Sequence, residues 1–430
     1  MQVLLRSLTQ SCRVSHSNSA GFLHFLCQSR VIFIASEILT QRRGKGCFTE
    51  PARNGIVISH QGTPFAPRWR AGFQIATTAI SCIGDENMLR KICALTLLTT
   101  SVLTAGHAMA ADKLIVSTWG GGFKDLIDET IAKEFTKETG VEVQFVTGGT
   151  IDRLNKAKLA GGSPETDVTF TTAHVGYLYA NSGLFEQLDM SKIPNAANLV
   201  QQAKVSPYHL GVWGYVYTIG YRPDMVAKGE TFESWNDLWK PELKGTLALP
   251  DWDPSHIIAV SAKLSGTDAA HWEQGQAKLK ALIPNIKSFY TDDANSQQLI
   301  STGETPVQVM LSMNAYHMIA EGVNIKLAMP KEGAVLGVDT VGINKGTRKA
   351  DLAYKFINIA LKPEIQQQVA KIYHGSPTVT NAHIDPELAK LPGMLTTPEQ
   401  WNATINTDPQ LRAEKTAEWR QWFSENIMSH

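Results

Sequence analysis

Between residues 114 and 147 the apolar pattern changes its period twice, and that succession leaves few folds open. Leu114–Trp119 (LIVSTW) reads as a strand. Phe123, Ile127, Ile131 and Phe135 then recur every four residues, the spacing of one helix face. Gly140 stands where a helix ends in a left-handed cap. Val141, Val143 and Phe145 next alternate with Glu142 and Gln144, as in a strand with one buried face. Strand, helix and strand in this order need a parallel pair with a helical crossover, so the region is committed to an α/β sheet.

The pattern continues. TIDRLNKAKLAGG predicts a second helix with Thr150 as its cap, and DVTFTT (Asp167–Thr172) a third strand. Val212–Tyr221 (VWGYVYTIGY) is long for a strand and sets Trp213, Tyr215, Tyr217, Ile219 and Tyr221 on one face. A second alternation follows. GTLALPD, TPVQVMLS, NIKLAMP and LGVDTVGIN (Leu336–Asn344) are extended runs, a helix begins after Pro254, and two helices are parted at Pro363. The reading is an α/β protein of two lobes, two doubly wound sheets joined by crossover strands.

Charge and cysteine divide the chain of 430 residues at one place. Residues 1–110 hold 11 Lys and Arg against 4 Asp and Glu, leaving 29 basic and 36 acidic residues beyond them. A mildly acidic body argues against nucleic-acid binding, which needs a basic face. All five cysteines precede residue 94, so the remainder has no disulfide, thiolate zinc site or cysteine nucleophile. Residues 88–110 (MLRKICALTLLTTSVLTAGHAMA) have a basic start, a short apolar run and a small-residue cleavage site, the form of a signal peptide. Translation is therefore expected to start at Met88 and the product to reach the periplasm. Residues 1–87 read as a non-native extension from a mis-assigned start, the rival being an Arg-rich organelle-targeting segment.

Ser234–Asp251 (SWNDLWKPELKGTLALPD) and Met329–Asn344 (MPKEGAVLGVDTVGIN) resemble periplasmic spermidine/putrescine-binding proteins, of the extracellular solute-binding family that serves ABC importers. FTKETGVEVQF, VWGYVYTIGY and FINIALKPEIQQQVA are similar too. The resemblance implies the two-lobed periplasmic binding protein fold, with residues 111–220 and 339–391 in lobe one, 221–338 in lobe two and 392–430 as a C-terminal helical segment. It implies a monomer that traps a small polar solute, such as a polyamine-like amine or an amino acid, in the interlobe cleft. The closed form then docks on a membrane permease powered by a cytoplasmic ATPase. No cofactor and no metal is implied. An enzyme or a ferric-ion-binding protein on the same scaffold is the alternative, although the chain lacks G-x-S-x-G, H-E-x-x-H and phosphate-loop patterns.

The resemblance also nominates ligand contacts. Trp119 matches the family's cleft aromatic. Gly120, Gly121 and Gly122 follow where polyamine binders carry an acid. They make either a receptor of bare N–H groups for an anion at a helix start, or simply a tight turn. Asp339 matches the aspartate that holds an amine. If both act, a zwitterion fits between them. Thr172 and His174 stand where the family has a hydroxyl and an aromatic, though a lone histidine is as readily structural. Asp251 and Trp252 match part of an acidic cluster, and Asp251 is equally a helix cap. Trp213 reaches the cleft or joins the core. Two further family aromatics are replaced by Leu311 and Gly337, which weakens the case for a linear polyamine.

Overall fold

A computed structural model describes residues 113–429, all within one compact unit. The extension and leader expected in residues 1–110 lie outside the described residues.

Nine strands make one sheet, eight of them in the order β2-β1-β3-β9-β4-β7-β5-β6, with β8 appended to β4. They are β1 Leu114–Thr118, β2 Val143–Thr147, β3 Val168–Thr172, β4 His209–Tyr221, β5 Leu247–Pro250, β6 Ile286–Tyr290, β7 Val307–Leu311, β8 Lys326–Leu327 and β9 Val335–Ile343. At one end β1 pairs in parallel with β2 and β3. At the other, β5 pairs in parallel with β6 and β7. Between them, β4 and β9 run antiparallel to each other and to both flanks. The two α/β halves are thus fused through two shared long strands. Every residue of β4 and β9 is buried, as expected of strands covered on both faces.

The helices that matter below are α1 Gly122–Ile127, α2 Thr150–Ala160, α3 Ala173–Asn181, α4 Ser255–Leu264, α5 Asp293–Ser301, α6 Ser312–Ala320, α7 Ala350–Ala360, α8 Pro363–Tyr373 and α9 Pro409–Phe423. α1 runs on through a π-helical turn, Asp128–Ala132, into the helix Lys133–Thr139, which ends at Gly140 with φ 70°. Ile127, Ile131 and Phe135 face the core, the stripe that their spacing predicts. Thr150 does not cap α2. The cap is Gly149, and Thr150 is the first helical residue. α5 and α9 begin at the side chains of Asp292 and Asp408, which accept from the backbone N–H of Asn295 and Leu411. Such caps stabilise a helix by about 1 kcal/mol.

The pairing register shows where the halves exchange. The start of β4 lies beside the end of β9, and that end lies beside β3. The end of β4, Tyr217–Tyr221, pairs instead with β7. The change falls around Trp213–Tyr217, next to a register shift after Gly211. There Thr172, Asp339 and Trp213 line up across β3, β9 and β4. α9 packs on α3 from one half and on α4 from the other. Its Trp419 and Phe423 are buried.

Candidate functional site

A cavity of about 520 Å³ opens at this exchange point, within the range of small-molecule sites. Its walls come from the carboxyl ends of parallel strands in both halves. Trp119 and Gly120 follow β1, Gly149–Asp152 follow β2, and Thr172 ends β3. Trp252 follows β5, Thr291–Asp293 follow β6, and Leu311 ends β7. In wound α/β sheets such ends leave a crevice where the strand order switches, because the helices depart to either side. Tyr215 and Tyr217 of β4 and Asp339 of β9 form the floor, and Arg420 of α9 completes the lining.

Asp339 is buried, 3% exposed, and both carboxylate oxygens are engaged. Trp213 Nε1 donates to Oδ2 at 2.8 Å and the Tyr215 hydroxyl to Oδ1 at 3.2 Å. Burial pushes its pKa up to about 7, and these two donors oppose the rise. The carboxyl is therefore held in place yet has no ion pair among the described residues. Burial also raises the carboxyl of Asp293.

Trp119 is fixed from behind. Its Nε1 donates to Thr150 Oγ1 at 2.7 Å, and the Arg153 guanidinium lies 5.2 Å from its ring centroid. Arg153 is buried and donates to the Gly148 and Phe170 carbonyls and to Ser117 Oγ. Burial lowers its pKa to about 10. Phe123 packs on Trp119 at 5.5 Å and extends the aromatic wall.

Of the ten residues nominated by sequence, Trp119, Gly120, Thr172, Trp252 and Asp339 meet at this cavity. The other five lie off its wall. Gly121 serves the backbone, with φ 60° and ψ −142°, a region closed to L side chains. Gly122 makes room for Tyr373, since a methyl there would overlap the Tyr373 hydroxyl. Trp213 points beneath the floor, stacked on Phe170 at 5.7 Å, and reaches the site only through Asp339. Asp251 is half-buried beside the cavity, and its carboxyl is raised by burial and lowered by the Arg420 charge. His174 is buried in a separate polar cluster, and burial drives its pKa down to about 3. In that cluster Asp253 pairs with Arg412 of α9 and accepts from the Ser255 N–H. The charge of Arg412 beside it, despite burial, holds the Asp253 carboxyl well below the usual range. His256 packs against Tyr217 with ring centroids 3.7 Å apart and the planes tilted by 31°.

Sequence reasoning passed over Phe123, Thr150–Asp152, Tyr217, Thr291–Asp293 and Arg420. The chain after each strand was the available signal for most of them. β6 itself escaped notice, so the acidic pair behind it did too. Nothing local marks Arg420, which arrives from far along the chain.

The sequence matches the family described as bacterial extracellular solute-binding protein over residues 130–396. The spermidine/putrescine-binding periplasmic protein of Salmonella typhimurium is 26% identical over 302 residues, covering 67% of this chain and 84% of that protein. Among solved structures, an ABC transporter protein from Clostridium perfringens is 29% identical with TM-score 0.63, covering 73% of this chain and all of its own. The substrate-binding protein of a spermidine/putrescine ABC transporter from Streptococcus pneumoniae is 25% identical with TM-score 0.64, covering 74% and 99%. No helix among the described residues is long and apolar enough to cross a membrane. These likenesses join a cavity built from both halves of a shared sheet to a family of carriers rather than enzymes: the chain belongs to the bacterial extracellular solute-binding proteins, the substrate-binding components of ABC importers.

Proposed function

We propose that this protein captures a small amine-bearing solute from the periplasm and hands it to a membrane permease driven by a cytoplasmic ATPase. The observation that carries this reading is Asp339, a buried carboxylate at the cavity floor, positioned by two donors and without an ion pair among the described residues. An ammonium group placed there restores the charge balance that burial disturbs. Trp119, Phe123, Tyr215, Tyr217 and Trp252 supply aromatic faces, which attract cations and cover a methylene chain. Asp152, Asp292 and Asp293 keep the lining acidic. The relatives named for spermidine and putrescine fit this chemistry.

In this reading Trp119, Gly120, Thr172, Trp252 and Asp339 touch the solute, and Trp213 positions Asp339. Residues 111–220 with 339–391 form one lobe and 221–338 the other. Because the cavity draws on both, a solute that contacts both walls binds the closed form more tightly and shifts the population toward it. Titration calorimetry with a panel of amines, amino acids and organic acids tests the proposal. An amine is expected to bind, and Asp339→Asn to weaken it at least tenfold. Binding confined to acids without an amine would overturn it.

A further inference from the structure

We propose that the solute is a zwitterion, its ammonium group on Asp339 and its carboxylate on Arg420 of the C-terminal helix. This inference rests on the amine reading above and narrows it.

Among the described residues, Arg420 is the cation that lines an otherwise acidic cavity. No carboxylate lies within 4.0 Å of its guanidinium among the described residues. Asp251 feels its charge without pairing with it. Arg420 therefore offers its hydrogen-bonding fork to a guest, and a planar fork suits a carboxylate, which it holds by two parallel bonds.

The backbone beneath Arg420 is anchored. Trp419 and Phe423 are 0% and 1% exposed, and Arg412, two turns earlier on α9, is paired with buried Asp253. Only the outer side chain of Arg420 is free to adjust. Ordering it costs less than ordering a residue on a loose segment.

The same charge acts against the alternative guest. A linear diamine needs an acceptor at each end, and a guanidinium at the cavity mouth repels its second ammonium group. Discrimination of this sort comes as much from what is repelled as from what is bound. The anion receptor is thus not the glycine turn, where Gly121 and Gly122 serve the fold. It lies across the cavity, on a helix that packs against both halves.

Calorimetry of the purified chain at pH 8 with linear amino acids of three to six carbons, amine at either end, and with diamines of the same lengths decides the matter. The wild type is expected to bind at least one amino acid tenfold more tightly than the matching diamine. Arg420→Gln should remove that preference, weakening the amino acid at least tenfold and leaving the diamine unchanged or tighter. Arg420→Lys should recover part of the loss. Tighter binding of diamines by the wild type, or an Arg420→Gln variant with unchanged amino-acid affinity, would overturn the zwitterion and leave the amine reading standing. Binding of neither class would overturn both.

Discussion

The three glycines after Trp119 carry three different loads, and substitution separates them. At Gly122 a methyl meets the ring end of Tyr373, so Gly122→Ala should destabilise by about 1–3 kcal/mol, the usual penalty of overpacking. At Gly120 the nearest atom to an added methyl is Thr147 Cβ at 3.9 Å, and φ is not positive. Gly120→Ala should therefore leave stability within about 0.5 kcal/mol, while its methyl narrows the cavity and weakens solute binding. Denaturant melts and calorimetry on the two variants check this, and equal destabilisation would contradict it. Asp339 sets a second residue-scale expectation. Its pKa of about 7 means that it is largely protonated, and blind to an ammonium group, in mild acid. Affinity for an amine should fall about tenfold for each pH unit below 7 and level off above it. Trp213→Phe removes a donor that favours the carboxylate, so the midpoint of that profile should move to higher pH. A flat profile between pH 5.5 and 8 would exclude Asp339 as the amine's partner.

At the scale of elements, the history of Ile127, Ile131 and Phe135 shows what a sequence displays openly. A helix or strand whose burial is one-sided prints its period, as the stripe through α1 and the α7–α8 pair do, whereas β1 and β3, buried at nearly every residue, were legible as short β-rich runs. β8 shrank to two residues because NIKLAMP only grazes β4. β6 was missed because IKSFY runs from half-buried Ile286 and exposed Lys287 to buried Tyr290 and alternates poorly. Half the nominated residues line the cavity: Trp119, Gly120, Thr172 and Trp252 sit at or just past strand ends that the pattern locates, whereas Asp339, in the middle of β9, rests on the resemblance. Trp213 takes the core alternative, stacked on Phe170 next to the register shift after Gly211. His174 lies off the cavity for a longer-range reason: the polar cluster that encloses it is completed by Arg412, on a helix that sequence could not place. That junction of α3, α4 and α9 has its own consequence. Burial lowers His174 to about 3 and His256 to about 4, and His209 on β4 is likewise lowered to about 4. Unfolding returns all three to about 6.5. The unfolded chain then binds more protons between those limits, so the stability these groups supply is present above pH 6.5 and lost as pH falls toward 4. From pH 7 to 5 each should withdraw about 2 kcal/mol. Asp339 opposes them, because its raised pKa makes the folded state gain stability as pH falls from 7 toward 3.8. Urea melts at pH 7 and 5 should show a net loss in the wild type and a larger one in Asp339→Asn. A gain on acidification would contradict the assignment.

For the molecule as a whole, the question is what moves when a solute enters. The halves share β4 and β9, which are buried along their full length, so they cannot part as separate bodies. Closure must bend the sheet near the exchange point, where the register of β4 shifts and the ladder is weakest. The C-terminal helix constrains that motion. Asp253 follows β5, so its pair with Arg412 ties α9 to the β5–β7 half, while the packing of α9 on α3 joins it to the other half. A helix held by both halves limits how far they can separate and keeps Arg420 beside the cavity between them. Moving the population from 1:99 open to closed to 99:1 requires about 5.5 kcal/mol of preference for the closed state, which contacts to both walls can supply. Small-angle scattering should show a smaller radius of gyration at saturating solute. In Arg412→Ala, where a stranded Asp253 costs about 3–5 kcal/mol of stability, the solute should still bind Asp339 but compact the chain less. A verified solute that leaves the wild-type radius unchanged would rule out closure as the signal to the permease.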